Sequence, residues 1–466
     1  MLAENARLRG QLEQARRAAK RQAAPFSKGE PKQDPARPGR HGGEDYGTKA
    51  HRPIPDRVDE EIRVGLPDAC PCCAGELEFE DEVDQYQHDV RWVSGHVRHF
   101  RIARGRCRRC SRRTQGRHRE QTSDALGAAG SQIGPRAVAL AAQLHKELGV
   151  PVTKVCRILA LLGVNVTPGG LHHALGRLAR MAEPTSRALV LAVRQSAAVA
   201  ADETGWRVAG RRVWLWVFVG DGVTVYLIAP GRGYEQAASI LGPEFGGVLE
   251  RDGWAPYRRF THARHQTCVA HLLRRAAELI ADSLAGQARI AHAVRRLLLD
   301  ALAVRDQFSE LLAPAAGEVI DSTAVEITAA QPDRQARLDC EIARLRHDVD
   351  ALLAHNPTHD PNRKLLKHLA NEREHLLTFL TAPGVAATNW RAEQAIRPAV
   401  VNRKNWGGNR TRHGADVQQT LMSVIRTSRQ QRVCPIALLE DLQHHRTPAT
   451  SSMLRLPPTS IGPRGP

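Results

Sequence analysis

The stretch Val213-Trp214-Leu215-Trp216-Val217-Phe218-Val219 is apolar at every position. Side chains alternate between the two faces of a sheet, so this pattern is typical of a strand that is buried on both faces. The stretch is followed by Gly220-Asp221-Gly222, a hairpin turn signal, and then by a second β-type run, Val223–Ile228. The sequence therefore predicts a central strand with an antiparallel neighbour.

Further elements follow on either side of this hairpin. The pattern predicts a strand at 197–201, a helix at 234–241, a strand at 247–251 and another strand around Gln266–Ala270. Three meandering strands, a helix and a fourth strand indicate an α/β domain, which we place at 195–270.

Helical periodicity surrounds the predicted sheet. Within a helical region at 130–190, helices at Val152–Leu162 and Leu171–Met181 flank a short turn and resemble a helix-turn-helix. The same pattern is common in all-α proteins, so DNA recognition is one of two interpretations here. Residues 271–380 have no strand signal and predict a helical insertion before the sheet domain resumes at 381–446.

The two ends of the chain have a different composition. Residues 1–22 carry apolar side chains at alternating steps of four and three, which predicts either a weak coiled-coil helix suited to a dimer or a frayed helix. Residues 23–57 are rich in Pro, Gly and basic residues and predict a flexible linker. Residues 447–466 predict a disordered tail.

The chain carries a large positive charge. Its 67 Lys and Arg residues exceed 49 Asp and Glu residues, giving a formal net charge of +18 over 466 residues. Residues 98–119 are rich in arginine and contain no acidic side chain, which favours a polyanion such as double-stranded DNA and predicts salt-sensitive binding. A solvated basic surface is the alternative. The predicted DNA contacts are Arg101, Arg104, Arg106, Arg108, Arg109, Arg112 and Arg113.

The sequence shows no sign of export or membrane insertion. The N-terminal segment is charged and lacks the apolar core of a signal peptide. No apolar stretch approaches the roughly 20 residues that a membrane helix needs. We therefore expect a cytoplasmic, nucleoid-associated protein without a membrane partner.

Two C-x-x-C pairs lie in residues 58–120. They are Cys70 with Cys73 and Cys107 with Cys110. Four thiolates on two tight turns match the closed tetrahedral sulfur set of a structural Zn²⁺ site. A module with few large apolar side chains needs such a cross-link to fold. Unmetallated or redox-active cysteines are the alternative.

Three acidic residues stand in contexts that favour metal binding. Asp202 ends one apolar run, Asp252 ends another, and Glu393 lies on a predicted helix. Each residue alone is more often a turn or cap residue. Together they are typical of a site for two divalent cations about 4 Å apart, which clamp the attacking and leaving oxygens of a phosphodiester.

A second group of residues is predicted to lie beside this site. Cys268 and His271 are three residues apart and form half of a zinc site whose other half is not evident from the sequence. A buried cysteine and a helix-capping or backbone-bonded histidine are the alternative, and His271 is also a candidate to approach the metal-bound phosphate. Four more residues flank Glu393: Asn389, Arg397, Arg403 and Lys404.

Four stretches carry a resemblance to a known family. Ala201–Trp206, Arg251–Tyr257, Cys268–Arg274 and Thr388–Glu393 resemble the catalytic blocks of DDE transposases, most closely those of the insertion-sequence sixty-six family. The resemblance covers nearly the whole chain. It implies a multidomain α+β/α protein with a coiled-coil helix, a zinc ribbon, a helix-turn-helix-like region and a ribonuclease H-like core interrupted by a helical insertion.

The resemblance also implies an activity. Asp202, Asp252 and Glu393 would hold two Mg²⁺ ions, or Mn²⁺, and Zn²⁺ would be structural. The protein would cleave the terminal inverted repeats of a mobile element and join the 3′-hydroxyls to target DNA, acting as a dimer or larger assembly, with accessory proteins of the same element as candidate partners. A catalytically inactive DNA-binding protein or regulator is the alternative, and the three intact carboxylates argue against it.

Overall fold

The computed structural model describes most of the chain after residue 94 and little before it. The described residues are 58–59, 61–64, 67–68, 71–76, 78, 85, 95–118, 120–122, 131–283, 286–313, 331–445 and 447–456. Two compact units are distinguished, Met1–Ser94 and Gly95–Pro466. The predicted coiled coil (1–22), the predicted linker (23–57) and the predicted zinc ligand Cys70 lie outside the described residues.

The second unit begins with a short hairpin and a helical region. Strands β1 (Arg104–Arg106) and β2 (Arg113–Gln115) pair antiparallel. Four helices follow: α1 (Pro135–Ala142), which continues into a π-helical turn (Gln143–Glu147), α2 (Val152–Leu161), α3 (Pro168–Met181) and α4 (Glu183–Gln195).

The two helices predicted from the sequence in this region are present. Helix α3 starts three residues before the predicted Leu171. The Thr167 hydroxyl accepts a hydrogen bond from the Gly170 N–H, and Pro168 occupies the first helical turn, where its missing N–H has no partner to lose.

Five strands form a mixed sheet. They are β3 (Ala198–Val208), β4 (Arg211–Val219), β5 (Thr224–Ala229), β6 (Val248–Arg251) and β7 (Arg264–Thr267), with helix α5 (Tyr234–Leu241) between β5 and β6. Their order is β5-β4-β3-β6-β7. The β3–β4 and β4–β5 pairs are antiparallel, whereas β6 is parallel to both of its neighbours.

Strand β4 is buried on both faces, which confirms the prediction of a central strand. Trp216 and Phe218 pack into the core that contains the N-terminal helices. Leu215 and Val217 pack into a separate core on the opposite face. Two buried faces explain why the strand is apolar at every position from Val213 to Val219.

Strand β3 is longer than predicted. It continues beyond the predicted end at 201 as far as Val208, because a two-residue turn joins it directly to β4. The turn residues Ala209 and Gly210 have φ values of 50° and 76°, the left-handed conformation of a type I′ hairpin. Asp202 therefore lies within a strand and not at its end.

Strand β7 is shorter than predicted. It ends at Thr267, and the apolar residues that follow begin helix α6 (Val269–Asp282). Val269, Leu272 and Ala276 are buried on one side of this helix, so they follow a helical and not a strand period. Cys268 consequently sits at the strand–helix junction.

The described residues of the predicted helical insertion form helices joined by turns and loops, with no strand among them. After α6 come α7 (Arg289–Gln307), α8 (Ser309–Leu312), α9 (Gln331–Leu353) and α10 (Asp360–Glu372), followed by 3₁₀ turns at Arg373–His375 and Thr378–Leu380. These helices share one apolar core. It includes Ala198 and Val248 of the sheet, so the insertion packs on the sheet and not apart from it.

Three helices complete the unit: α11 (Trp390–Trp406), α12 (Arg412–Gln430) and α13 (Pro435–His444). Ala392, Ala395, Ile396 and Ala399 of α11 pack on the face of the sheet that carries Leu215 and Val217. Small side chains on this helix bring its backbone close to the strands.

Helix α12 covers the free edge of strand β5. Backbone N–H groups of β5 donate to the side chains of Gln419, Ser423 and Thr427, at distances of 2.9–3.0 Å. These residues are four apart and share one face of the helix. Side-chain oxygens thus take the place of a neighbouring strand and protect the edge from pairing with another chain.

The C-terminal tail differs from prediction over its described part. Residues 447–456 lie against α4: the Ser451 N–H donates to the Thr185 hydroxyl, which donates to the carbonyl of Ala449. Leu454 is buried in the core. Across the described residues, no helix is both long enough and apolar enough to cross a membrane.

Candidate active site

Strand register places Asp202 and Asp252 side by side. Ala200 of β3 pairs with Glu250 of β6 in a parallel ladder. Each aspartate lies two residues beyond its member of that pair, Asp202 within β3 and Asp252 directly after the end of β6, so the two backbones are adjacent. Neighbouring strands are about 4.8 Å apart, which brings the two carboxylates within reach of shared ligands.

Alternation along β3 gives Asp202 and Glu203 opposite roles. Ala200 lies in the core formed with α11, so Asp202 faces α11 and Glu203 faces the other way. The Glu203 carboxylate accepts hydrogen bonds from the Tyr257 hydroxyl and from Arg232, both at 2.6 Å. Glu203 is therefore a satisfied structural acid, and Asp202 is the one that faces the site.

Backbone N–H groups fix one oxygen of each aspartate. The Glu203 N–H donates to Oδ1 of Asp202 at 2.8 Å, and the Trp254 N–H donates to Oδ1 of Asp252 at 2.9 Å. Neither carboxylate forms an ion pair with a described residue. One oxygen of each group is thus oriented and the other remains available for a ligand.

The Asp252 and Glu393 carboxylates are close enough to Asp202 to influence its ionisation. Burial, together with the neighbouring charges of Glu203, Asp252 and Glu393, raises the pKa of Asp202 to about 7, against the opposing effect of the Glu203 N–H. A desolvated carboxylate with like charges nearby favours its protonated form unless a cation neutralises it. The site is therefore short of positive charge.

Asn389 anchors the helix that carries Glu393. Its side-chain amide donates to the carbonyl of Ala201, the residue before Asp202, at 2.8 Å. Its backbone N–H donates to the sulfur of Cys268 at 3.2 Å. Glu393 lies in the first turn of α11. Asn389 thus ties the start of this helix to both β3 and the β7–α6 junction.

The second half of the Cys268–His271 pair is Glu393. One ligand atom of each of the three residues lies within 4.8 Å of the others. His271 Nδ1 is 3.7 Å from Glu393 Oε1. The neighbouring Cys268 side chain raises the pKa of His271. Sequence spacing could not reveal Glu393 as the third member, because 122 residues separate it from His271.

Comparison with protein families identifies the chain. The family model described as Transposase IS66 family matches residues 130–417, more than half of the chain. The chain belongs to the IS66 transposase family. It is therefore a transposase of an insertion-sequence family, whose members act on DNA by cutting it. A comparison with curated proteins finds no match.

The basic residues predicted around Glu393 of this transposase differ in their surroundings. Arg397 and Lys404 are exposed on α11. Arg403 is tied to β3, where its guanidinium donates to the Gly205 carbonyl and to the Thr204 hydroxyl. Ten residues of helix separate Arg403 from Glu393, which is about 15 Å along the axis. Arg403 thus fastens the end of α11 to the sheet.

A buried ion pair supports Asp252 of the transposase from the side of the insertion. Arg251 donates to Glu372 of α10 at 2.6 Å and to the backbone carbonyl of Asp252 at 2.9 Å. Both side chains of the pair are 0% exposed. The next residue, Gly253, lies so close to α10 that a Cβ there would meet His368 at 2.3 Å. Sequence reasoning missed this pair, since nothing local marks Glu372.

The transposase's predicted arginine cluster surrounds a tight turn between β1 and β2. The Cys107 N–H donates to the Arg112 carbonyl, and the Ser111 N–H donates to the Cys107 carbonyl, both at 2.9 Å. The backbone N–H groups of Cys110 and Arg109, with the Cys110 side chain, lower the pKa of the Cys107 thiol. All seven predicted DNA-binding arginines are exposed. Cys73 is exposed in the first unit.

Proposed function

We propose that this transposase cleaves the ends of its insertion sequence and joins the freed 3′-hydroxyls to target DNA, with Asp202, Asp252 and Glu393 holding two Mg²⁺ ions. The observation that carries the proposal is the parallel register of β3 and β6, which aligns two aspartates beneath a helix that presents a glutamate. Mn²⁺ would fit the same oxygen ligands.

The chemistry of the donor set fits hard divalent cations. Mg²⁺ is bound by oxygen ligands, and each aspartate keeps one carboxylate oxygen free of hydrogen bonds to the backbone. The mutual repulsion of the carboxylates supplies a reason to bind positive charge. When bound, the two ions activate the attacking oxygen and stabilise the leaving oxygen of the phosphodiester.

The protein's own residues provide orientation. The N–H groups of Glu203 and Trp254 orient the two aspartates, and Asn389 holds the start of α11 against β3. A site held by strands and a packed helix needs little rearrangement when substrate arrives, which is the main protein contribution to phosphoryl transfer.

The strand order supports a ribonuclease H-like core. Three antiparallel strands, then a helix, then two strands parallel to the first are what that fold requires, and the order β5-β4-β3-β6-β7 agrees with it. In this assignment the helices between β7 and α11 are an insertion into the core.

We assign DNA binding outside the core to two regions. The exposed arginines around the β1–β2 turn would contact phosphates, and a Zn²⁺ held by Cys107 and Cys110 together with Cys70 and Cys73 would stabilise this module. Helix α3, the second of the α2–α3 pair, would enter the major groove.

Assembly follows from the reaction. Two element ends must be brought together, so we propose at least a dimer that binds terminal inverted repeats and target DNA at the nucleoid, together with accessory proteins of the same element.

A strand-transfer assay tests the proposed activity. Labelled element-end DNA, target DNA and Mg²⁺ are incubated with the native protein or with Asp202→Asn. We expect strand transfer by the variant to be lower than that of the native protein by about 10²–10³-fold, the scale of removing one electrostatic stabiliser from an active site.

The matched control is Glu235→Gln, because Glu235 is an exposed acid on α5. This variant should join DNA at the native rate. Equal joining by Asp202→Asn would overturn the assignment of Asp202. DNA binding without cutting by the native protein would instead favour the inactive, regulatory alternative.

A further inference from the structure

The Cys268, His271 and Glu393 side chains converge from two separate parts of the chain. Cys268 ends the junction after β7, His271 lies in the first turn of α6, and Glu393 lies in the first turn of α11. We infer that these three residues form a binding site for a soft divalent cation such as Zn²⁺ or Cd²⁺, separate in chemistry from the proposed Mg²⁺ site.

The distances suit a four-coordinate ion. Zn²⁺ binds nitrogen, oxygen and sulfur at about 2.0–2.3 Å, so two ligands of a tetrahedral ion are about 3.3–3.8 Å apart. His271 Nδ1 and Glu393 Oε1 are 3.7 Å apart. All three ligand atoms lie within 4.8 Å of one another, so closure around an ion needs movements of about 1 Å, within the range of side-chain rotation.

The hydrogen bonds around the site leave His271 Nδ1 and the Cys268 sulfur able to bind a cation. His271 Nδ1 is buried and has no hydrogen-bond partner among the described residues. The Cys268 sulfur is buried and accepts a hydrogen bond from the Asn389 N–H, which fixes its position beside His271. An imidazole nitrogen without a hydrogen-bond partner and a cysteine sulfur are both ligand atoms that Zn²⁺ binds.

Ligand type separates this site from the proposed Mg²⁺ site. A thiolate and an imidazole favour Zn²⁺ and Cd²⁺, whereas Mg²⁺ requires oxygen ligands. Three protein ligands leave a fourth position for water. Since Glu393 belongs to both ligand sets, an ion held by Cys268 and His271 draws this carboxylate away from Asp202 and Asp252.

The consequence is inhibition by soft metals. This step rests on the proposed function, because it requires Glu393 to serve Mg²⁺-dependent strand transfer. Micromolar Zn²⁺ or Cd²⁺ would then inhibit strand transfer even at millimolar Mg²⁺, and removal of the thiol would relieve the inhibition. The binding step itself does not depend on any activity.

Metal binding is tested first, with the full-length chain and Cd²⁺. Cd²⁺ is titrated into the native protein and into Cys268→Ser, and binding is followed by the ultraviolet charge-transfer absorption of the Cd²⁺–thiolate bond. The matched control is Cys156→Ser, which removes a buried cysteine of α2. We expect Cys268→Ser alone to lose the signal of one thiolate and one bound Cd²⁺. Equal stoichiometry in all three proteins would overturn the site.

Two further variants guard against misfolding as an explanation. His271→Gln and Glu393→Gln keep Cys268 in place and should each weaken Cd²⁺ binding at this site by more than about tenfold, since even partners outside the ligand shell are worth about that much. Unchanged affinity in both variants would show that the thiol acts alone and would refute the three-ligand site.

Inhibition is tested separately. Strand transfer at a fixed millimolar Mg²⁺ concentration is measured with increasing Zn²⁺ for the native protein and for Cys268→Ser. We expect the variant to need at least about tenfold more Zn²⁺ for half-inhibition. Equal inhibition would overturn the regulatory consequence. Cd²⁺ binding at Cys268 in a protein that joins no DNA would overturn the proposed function and leave the metal site standing.

Discussion

At the scale of single residues, two charged side chains are largely removed from water and form no ion pair with a described residue. Asp202 faces the charges of Asp252 and Glu393, and burial raises its pKa to about 7. Lys146, in the π-helical turn after α1, is 3% exposed, and burial lowers its pKa to about 7. Both side chains reduce the stability of the free protein when charged.

Asp202 predicts a link between metal binding and stability. In the metal-free protein at pH 8, Asp202→Asn should raise the melting temperature, because it removes a desolvated negative charge. Mg²⁺ at 100 times its dissociation constant should stabilise the native protein by about 2.7 kcal/mol and the variant by much less. Thermal unfolding with and without Mg²⁺ measures both effects. Equal stabilisation of the two proteins by Mg²⁺ would contradict this.

Lys146 predicts a pH-dependent gain from substitution. A basic group whose folded pKa is lowered keeps full stability above its unfolded pKa of about 10.4, and that stability is lost as pH falls to about 7. Lys146→Met should therefore stabilise the protein by about 1–4 kcal/mol at pH 6–7, and the gain should vanish towards pH 10.

Urea unfolding over this pH range measures the effect, with the exposed Lys154→Met on α2 as control. The Lys146 ammonium also lies 5.9 Å from the centre of the Trp406 ring. If this contact dominated, Lys146→Met would be destabilising at every pH, the opposite of our expectation.

At the scale of elements, the sheet depends on helices at its edges. Helix α12 satisfies the backbone of β5 through side chains, and Thr427 does so twice: its hydroxyl accepts the Thr224 N–H at 3.0 Å and donates to the Thr224 carbonyl at 3.1 Å. These side-chain hydrogen bonds replace the backbone hydrogen bonds of a neighbouring strand, and each of them depends on a single side chain.

Thr427→Val should destabilise the protein. Valine keeps the shape of threonine but leaves the buried N–H and carbonyl of Thr224 without partners, which should cost about 1–3 kcal/mol in the free energy of unfolding. The control is Thr420→Val, half-exposed on the same helix. Urea titration of both proteins measures the difference. A loss below about 0.5 kcal/mol for Thr427→Val would mean that water replaces the hydroxyl.

At the scale of the whole molecule, the insertion and the sheet domain are joined by a charged contact beneath the site. Arg251, next to Asp252, pairs with Glu372 of α10, and Arg258 lies 3.4 Å from the same carboxylate. His265 adds a further contact to Arg251 at 3.3 Å, and burial lowers the pKa of His265 to about 4, so it is neutral. The second aspartate therefore depends on residues of the insertion.

Glu372→Gln should weaken both stability and catalysis. The variant leaves Arg251 buried without a counter-charge, which should cost about 3–5 kcal/mol in unfolding free energy, and it should slow strand transfer through displacement of Asp252. Glu341→Gln, in an exposed pair with Arg344 on α9, should cost less than about 1 kcal/mol. Chemical denaturation and the strand-transfer assay measure both. Similar losses in the two variants would contradict the bracing role of Glu372.

Local pattern was sufficient for the elements whose signals are contained in one stretch of chain. The doubly buried strand β4, the helices α2 and α3 and the helical character of 271–380 follow from hydrophobic period and turn residues, because burial of one or two faces imposes that period on the sequence. The ends of strands β3 and β7 did not follow from local pattern. The apolar residues after Thr267 fit a strand or a helix equally well, and only packing decides between them.

The meeting of residues from distant parts of the chain was decided by tertiary structure. The sequence indicated Asp202, Asp252 and Glu393 as candidate metal ligands from their positions after apolar runs and on a predicted helix. Their alignment depends on the β3–β6 register, which is set by hydrogen bonds between the strands. The sequence marked Cys268 and His271 as half of a site, and the fold supplied Glu393 as the third member. Local sequence encodes which face of an element is buried, whereas the neighbour across that face is chosen by packing of the whole chain.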